Sequence, residues 1–282
     1  LASLRTWWVL AGLLTLAVVF GKAGVAVMLA VAAAAGLKEF VWLVGREQTG
    51  VRTMVFVFLF IPVYYCLALS GYQVLMLQTS PMAFVLILGG LRSWLGLTQA
   101  YIRTTAAMVW GLMLFVVCLS CSLLLFDLSL VSEPRVGRVG WFLYLVILTE
   151  INDIMQAVTG RRFGRTKITP RVSPNKSLEG LLGGMSCTVL LAVVSAPWLT
   201  TLTEGGSPIA GILVPMASGL LISLFGFLGD INMSAIKRDA GVKDGSTLLP
   251  GQGGMIDRID SLTFTAPVFF YFVWFVMKAG LE

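Results

Sequence analysis

Apolar residues run along this chain in long stretches. They show neither the alternation of a half-buried strand nor the single apolar stripe of a helix that faces water. A helix needs roughly 20 apolar residues to cross about 30 Å of hydrocarbon. Nine stretches approach that length, near 5–20, 23–44, 51–69, 81–98, 103–126, 139–158, 178–200, 208–236 and 262–280. They predict an all-α integral membrane protein of about nine transmembrane helices, the first of them read as uncleaved. No run of alternating ten-residue segments points to an outer-membrane barrel.

The polar positions between the stretches set the orientation, because Lys and Arg are retained in cytoplasmic loops. Of the 20 Lys and Arg, only Lys22, Arg135, Arg138 and Lys278 fall on one side, and the other 16 fall on the opposite one. The N-terminus is therefore expected in the cytoplasm and the C-terminus outside. The uncharged segment 70–80 and the nearly balanced segment 127–138 read as outside loops.

Composition sharpens the picture. The chain is 57% hydrophobic and 12% charged, where a soluble domain carries about 25% charge. Mean hydropathy is +0.90, which excludes a disordered chain. The net charge of +6 is explained by membrane topology rather than by nucleic acid, since the basic loops also hold acids and lack interleaved aromatics. No His is present, so an imidazole base, proton shuttle or metal ligand is ruled out. Cys66, Cys118, Cys121 and Cys187 lie in apolar runs and read as packing residues. No repeat or linker divides residues 1–282, which read as one polytopic domain: apolar scaffold helices over 1–138, polar helices and cytoplasmic loops over 139–282.

An acid inside a membrane span marks a functional site. Glu150 and Asp153, in TEINDIMQAVTG, share a helix face with Gln156. Asp230, in FGFLGDINMSAIKR, shares a stripe with Ser234 and Lys237. The loop GRRFGRTKITPRVSPNKSLEG over 160–180 is dense in cations, with Pro170 and Pro174 restricting its path and Lys176 near its end. Charge alone would assign it to anionic lipid. Ser177 reads as a helix N-cap, and Glu179 suits the positive end of that helix.

The segment SAIKRDAGVKDGSTLLPGQGGMIDRIDS, 234–261, changes that estimate. Gly251, Gly253 and Gly254 would let backbone N–H groups approach an anion. Asp257 and Asp260, one helical turn apart, are suited to a hard cation, and with Asp230 they suffice for Mg²⁺. Lys237, Arg238, Lys243 and Arg258 supply positive charge for phosphates.

The order S-x-x-K-R-x4-K-D, L-P, G-G, D-R-x-D resembles the signature of the CDP-diglyceride synthetases, the phosphatidate cytidylyltransferases. It is carried by Ser234, Lys237, Arg238, Lys243, Asp244, Leu249, Pro250, Gly253, Gly254, Asp257, Arg258 and Asp260. Upstream, Asp153 and SPNKSLEG are similar to that family's second cytoplasmic stretch, so the likeness covers roughly 150–265. The resemblance implies a Mg²⁺-dependent enzyme of the cytoplasmic membrane, its site facing the cytoplasm, that makes CDP-diacylglycerol or a closely related CDP-lipid from CTP and phosphatidate. Under it, Lys237, Arg238, Lys243, Asp244 and Arg258 serve catalysis. Ser234, Lys176, Gly251, Gln252, Gly253 and Gly254 bind substrate, and Asp153, Asp230, Asp257 and Asp260 hold metal. Membrane lipids are the other partners, and the apolar first half offers a surface for a homodimer.

Gln252 stands where the signature has His, which implies a divergent member or a paralogue that binds lipid or nucleotide without turnover. Transfer of an alcohol onto a CDP-lipid is the other enzyme class weighed, but its D-G-x-x-A-R run is absent. Transport fits less well, because the polar residues gather at one face rather than at broken mid-membrane helices.

Overall fold

A computed structural model describes residues 2–44, 50–128, 134–204, 207–243, 246, 248 and 253–279. Its helices are α1 (Ala2–Val19), α2 (Gly21–Val44), α3 (Val51–Leu69), α4 (Gln73–Trp94), α5 (Tyr101–Asp127), α6 (Val139–Phe163), α7 (Leu178–Leu199), α8 (Ala210–Asp239) and α9 (Ile256–Lys278). A short antiparallel hairpin, β1 (Lys167–Thr169) and β2 (Ser173–Ser177), joins α6 to α7. Eight of these helices are long and apolar enough to cross a membrane, and α1 carries a shorter apolar stretch, Arg5–Val19. The chain is an all-α multi-pass membrane protein, as the nine stretches predict.

Several boundaries differ from expectation. The segment 73–80, expected as an outside loop, forms the first two turns of α4. Its hydroxyls are satisfied within the helix: Thr79 donates to the Leu75 carbonyl at 2.8 Å and Ser80 to that of Met76. Pro81 then lies inside the helix, where its lack of an N–H leaves one ladder bond unmade. Helix α6 continues to Phe163, and Arg161 Nε donates to the Ala157 carbonyl at 3.1 Å. Helix α9 starts at Ile256 instead of 262, so Asp257, Arg258 and Asp260 occupy its first turns. A π-helical turn, Met113–Cys118, interrupts α5 and buries the four successive residues Leu114–Val117. The uniform apolar run carries no signal for it. All four cysteines are free thiols.

The chain forms two compact units. The first comprises Leu1–Ser120 and Asp239–Ile259, the second Cys121–Arg238 and Asp260–Glu282. Within the first, α2 packs against α1, α3 and α5. Its buried positions Val25, Leu29, Ala33, Gly36, Leu37 and Phe40 recur at helical spacing. The ring of Phe40 lies 5.7 Å from that of Phe115 in the π turn.

In the second unit, α6 and α7 pack along most of their lengths. The buried positions of α7 are Gly180, Gly184, Thr188, Ala192 and Ala196, a stripe of small residues every four positions. Such stripes let helix backbones touch in a membrane, where dispersion and interhelical hydrogen bonds replace hydrophobic burial. At Gly184 a β-carbon would meet the Gln156 side chain, the Gln156 backbone nitrogen at 3.0 Å and the Asn152 carbonyl oxygen at 3.2 Å.

Gly184→Ala is therefore expected to destabilise the folded protein by about 1–3 kcal/mol, read as a lower melting temperature in detergent. Gly90→Ala, where nothing lies within 4 Å, should leave it unchanged or raise stability by up to about 1 kcal/mol.

Candidate functional site

A cavity of about 700 Å³ lies in the second unit, where the C-terminal half of α6, the strand β2, the start of α7 and Asp230 of α8 meet. Its wall carries the cations Arg161, Lys167 and Lys176, the acids Asp153 and Asp230, and the amides of Gln156 and Asn175. The local architecture follows from the sequence. Ser177 ends β2 and caps α7, its hydroxyl accepting from the Gly180 N–H at 3.2 Å. Glu179 lies in the first turn of α7, where it accepts from the backbone N–H groups of Arg165 at 2.9 Å and Thr166 at 3.1 Å. Its work is thus to fold the preceding loop back onto the helix, in addition to complementing the helix end.

Lys176 and Asp230 meet inside this cavity, the ammonium 2.5 Å from Asp230 Oδ2, with side chains only 19% and 27% exposed. The Lys176 ammonium also lies over the Phe227 ring, 5.6 Å from its centroid. The other Asp230 oxygen accepts from Ser234 at 3.4 Å. Asp153 faces the same space and is near enough to feel the charges of Lys176, Asp230 and Glu150. The structure thus brings Asp153, Lys176, Asp230 and Ser234 of the expected site residues together. Lys237 and Arg238 follow at the end of α8, and Arg238 Nε donates to the Val172 carbonyl in the hairpin at 3.3 Å. Asp260, also in the second unit, accepts from the Ser261 N–H at 2.7 Å.

Gln156 is 4% exposed, and neither of its amide atoms has a partner among the described residues. Leaving such atoms unpaired costs free energy, and Gln156 lines the cavity. In the sequence Gln156 is marked only by the helix face it shares with Asp153, and Asn175, Arg161 and Lys167 carry no individual signal.

Lys243, Gly253, Gly254, Asp257 and Arg258 belong to the first unit, whereas Asp244, Gly251 and Gln252 lie outside the described residues. Asp257 Oδ2 accepts from the Gly254 N–H at 3.2 Å. The anions that the glycine pair approaches in the structure are protein carboxylates, Asp257 at Gly253 and Glu39 of α2 at Gly254. The sequence marks Glu39 as it marks Asp230, by an acid inside an apolar stretch, yet the reading above did not single it out.

Mg²⁺ usually binds through one or two carboxylates with phosphate oxygens and water filling the remaining positions. Asp153 and Asp230 fit it in number and chemistry, and Asp230 already holds a cation, the Lys176 ammonium. Among the described residues no three His, Cys, Asp or Glu side chains converge, so substrate oxygens would have to complete the shell.

The family described as the cytidylyltransferase family matches residues 2–276. Over 213 residues, 76% of this chain and 68% of the relative, the sequence is 43% identical to "Uncharacterized protein YnbB" of Escherichia coli. It is 42% identical to the phosphatidate cytidylyltransferase of Haemophilus influenzae over 135 residues, 48% of this chain and 46% of that protein. With the Synechocystis phosphatidate cytidylyltransferase, identity is 43% over 121 residues, 43% of this chain and 39% of the relative. The matches thus span less than half the length of these two enzymes.

Beneath the cavity, Asn152 ties three helices together. Its Oδ1 accepts from Ser223 of α8 at 2.6 Å and Thr188 of α7 at 3.2 Å, and its Nδ2 donates to the Ser223 carbonyl at 3.4 Å. Asn152→Ala takes the acceptor from the buried Ser223 hydroxyl, while Thr188 keeps the Gly184 carbonyl at 2.9 Å, and is expected to cost about 1–3 kcal/mol. The loss should register as a lower melting temperature in detergent.

Proposed function

The chain belongs to the cytidylyltransferase family of nucleotidyltransferases, and from that premise we propose that it joins CTP to phosphatidate, or a closely related lipid phosphate, at the cytoplasmic face of the membrane. The observation that carries this reading is the shared cavity, in which Lys176 from the SPNKS run, Asp230 and Asp153 face one another. A lipid phosphate held at a membrane face needs such an arrangement, since its acyl chains stay in the bilayer while CTP arrives from water.

In the proposed reaction an oxygen of the lipid phosphate attacks the α-phosphorus of CTP. A new P–O bond forms, the bond to the β-phosphate breaks, and pyrophosphate leaves with the bonding electron pair. The attacking phosphate is anionic near neutral pH, so no base has to take a proton from it, which suits a chain without His. Mg²⁺ bound by Asp153 and Asp230, with substrate oxygens completing its shell, would neutralise charge on the phosphates. Lys176 exchanges Asp230 for a phosphate as its partner. Lys237 and Arg238, at the end of α8, hold the remaining phosphate charge, which develops further as pyrophosphate departs; Lys243, Asp257 and Arg258 of the first unit are assigned to transfer by the signature resemblance alone. Gln156 directs its unpaired amide to the bound substrate.

A second reading rests on Gln252. Without the imidazole at that position, the chain would be a binding paralogue that retains the pocket and no longer turns over.

Both readings are separated by following α-labelled CTP into lipid, with phosphatidate and Mg²⁺ in detergent micelles. Label in lipid from the wild type is expected, and Asp230→Asn should reduce it by roughly 10²-fold or more. Transfer by Gln252→His alone would mean that the natural acceptor is another lipid phosphate. Absence of transfer from both folded proteins would favour the binding paralogue. Gln156→Met should keep the wild-type melting temperature while raising KM by up to about tenfold, the value of one good hydrogen bond.

A further inference from the structure

We propose that Glu39 is a positioning residue for the segment Gly253–Arg258, holding it from another helix through its carboxylate. The inference rests on the reading above in so far as Asp257 and Arg258 act in transfer. Glu39 lies on α2 and is 7% exposed. Its Oε1 accepts from the Ser246 hydroxyl at 2.6 Å and the Met255 N–H at 2.9 Å, and its Oε2 accepts from the Ile256 N–H at 3.0 Å. Ile256 is the first residue of α9, so these backbone donors belong to a helix start, where the first N–H groups have no partner in their own helix. The carboxylate also meets the positive end of the helix dipole.

The glycine pair makes this approach possible. Gly253 has φ +83°, a conformation most other residues avoid. A β-carbon on Gly254 would lie 3.0 Å from Glu39 Cδ and 3.1 Å from its Oε1. The Gly254 N–H turns instead to Asp257 at 3.2 Å. A buried carboxylate therefore occupies the group of N–H donors that a phosphate would otherwise use. In this arrangement the glycines set the path of the loop, and phosphate recognition falls to side-chain cations. A buried acid on an apolar helix is costly, and here three hydrogen bonds and the helix end offset that cost. Moving the start of α9 would move Asp257 and Arg258 with it.

The test combines kinetics with amide hydrogen exchange on the full chain in detergent. Glu39→Ala is expected to lower kcat per folded enzyme by about 10²-fold while changing KM for CTP by less than about threefold, as misplacement of reacting groups does. Glu39→Gln keeps the oxygen that Ser246 and Met255 use and should restore a large part of kcat, which a lost buried charge alone would not. Gly254→Ala pushes a methyl group into the carboxylate. Its effect should largely vanish in the Glu39→Ala background, where the space is empty, so the two changes are non-additive. Independently of any substrate, the Met255 and Ile256 amides should exchange at least about tenfold faster in Glu39→Ala, as loss of their acceptor requires.

Wild-type kcat in Glu39→Ala, multiplicative effects with Gly254→Ala, or unchanged exchange would each overturn the proposal. If Glu39→Ala does not fold, Glu39→Gln and Gly254→Ala are compared instead, and wild-type exchange and kcat in both would overturn it. If the wild type itself transfers no label, the proposed function falls. Exchange alone then decides whether Glu39 holds the segment.

Discussion

Close approach of α6 and α7 is the constraint from which the second unit is built. A membrane offers no hydrophobic drive for helices to associate, so they must gain from dispersion at short range and from hydrogen bonds across the gap. The small residues at 180, 184, 188, 192 and 196 allow that range, and α6 supplies the polar partners. Tyr144 bonds the Ala192 carbonyl at 3.2 Å and the Ser218 hydroxyl at 2.8 Å, Thr149 the Thr265 hydroxyl at 3.1 Å, and Asn152 its two hydroxyls. These bonds recur along one helix and leave few alternative packings. At Gln156, which lines the cavity, the ladder is interrupted, its amide having no partner among the described residues, and it resumes at Thr159, whose hydroxyl donates to the Gly180 carbonyl at 3.2 Å. The unpaired amide and the cavity are two views of one arrangement, a polar stripe that opens onto the cavity at Gln156.

The two ends of the cavity wall are set by turn chemistry. Glu179 and Ser177 fold the hairpin back over the start of α7, which brings Lys176 to Asp230. That pair lies partly exposed in a polar space, so it can be exchanged for other partners at moderate cost. A fully buried pair would be far harder to part. In the first unit a carboxylate plays the opposite part: Glu39 is buried, fully engaged and fixed to one helix start. The same chemical group thus serves exchange in one place and immobility in the other, according to its access to water.

Much of this was legible in the chain. Apolar length alone identified all the long helices, because the bilayer imposes a length that a soluble core does not. Acids inside those stretches pointed to Asp153 and Asp230, and the N-cap at Ser177 followed from residue type. Boundaries were less legible where polar residues were satisfied within their own helix, as Thr79 and Ser80 are in α4. The hairpin at 167–177 has no alternating pattern to reveal it, since it is short and its residues are exposed or half-buried except for Ser177.

What the sequence determined by itself was the class of the molecule, the spans and the set of charged residues available for phosphate chemistry, for these depend on composition and local spacing. Only the tertiary structure decided which of those residues meet. Glu39 and Ile256 are separated by 217 positions and Asn152 and Ser223 by 71. No local pattern encodes such pairs. They arise from which helix faces can approach closely, and that depends on the missing β-carbons of Gly184 and Gly254 as much as on the polar groups they admit.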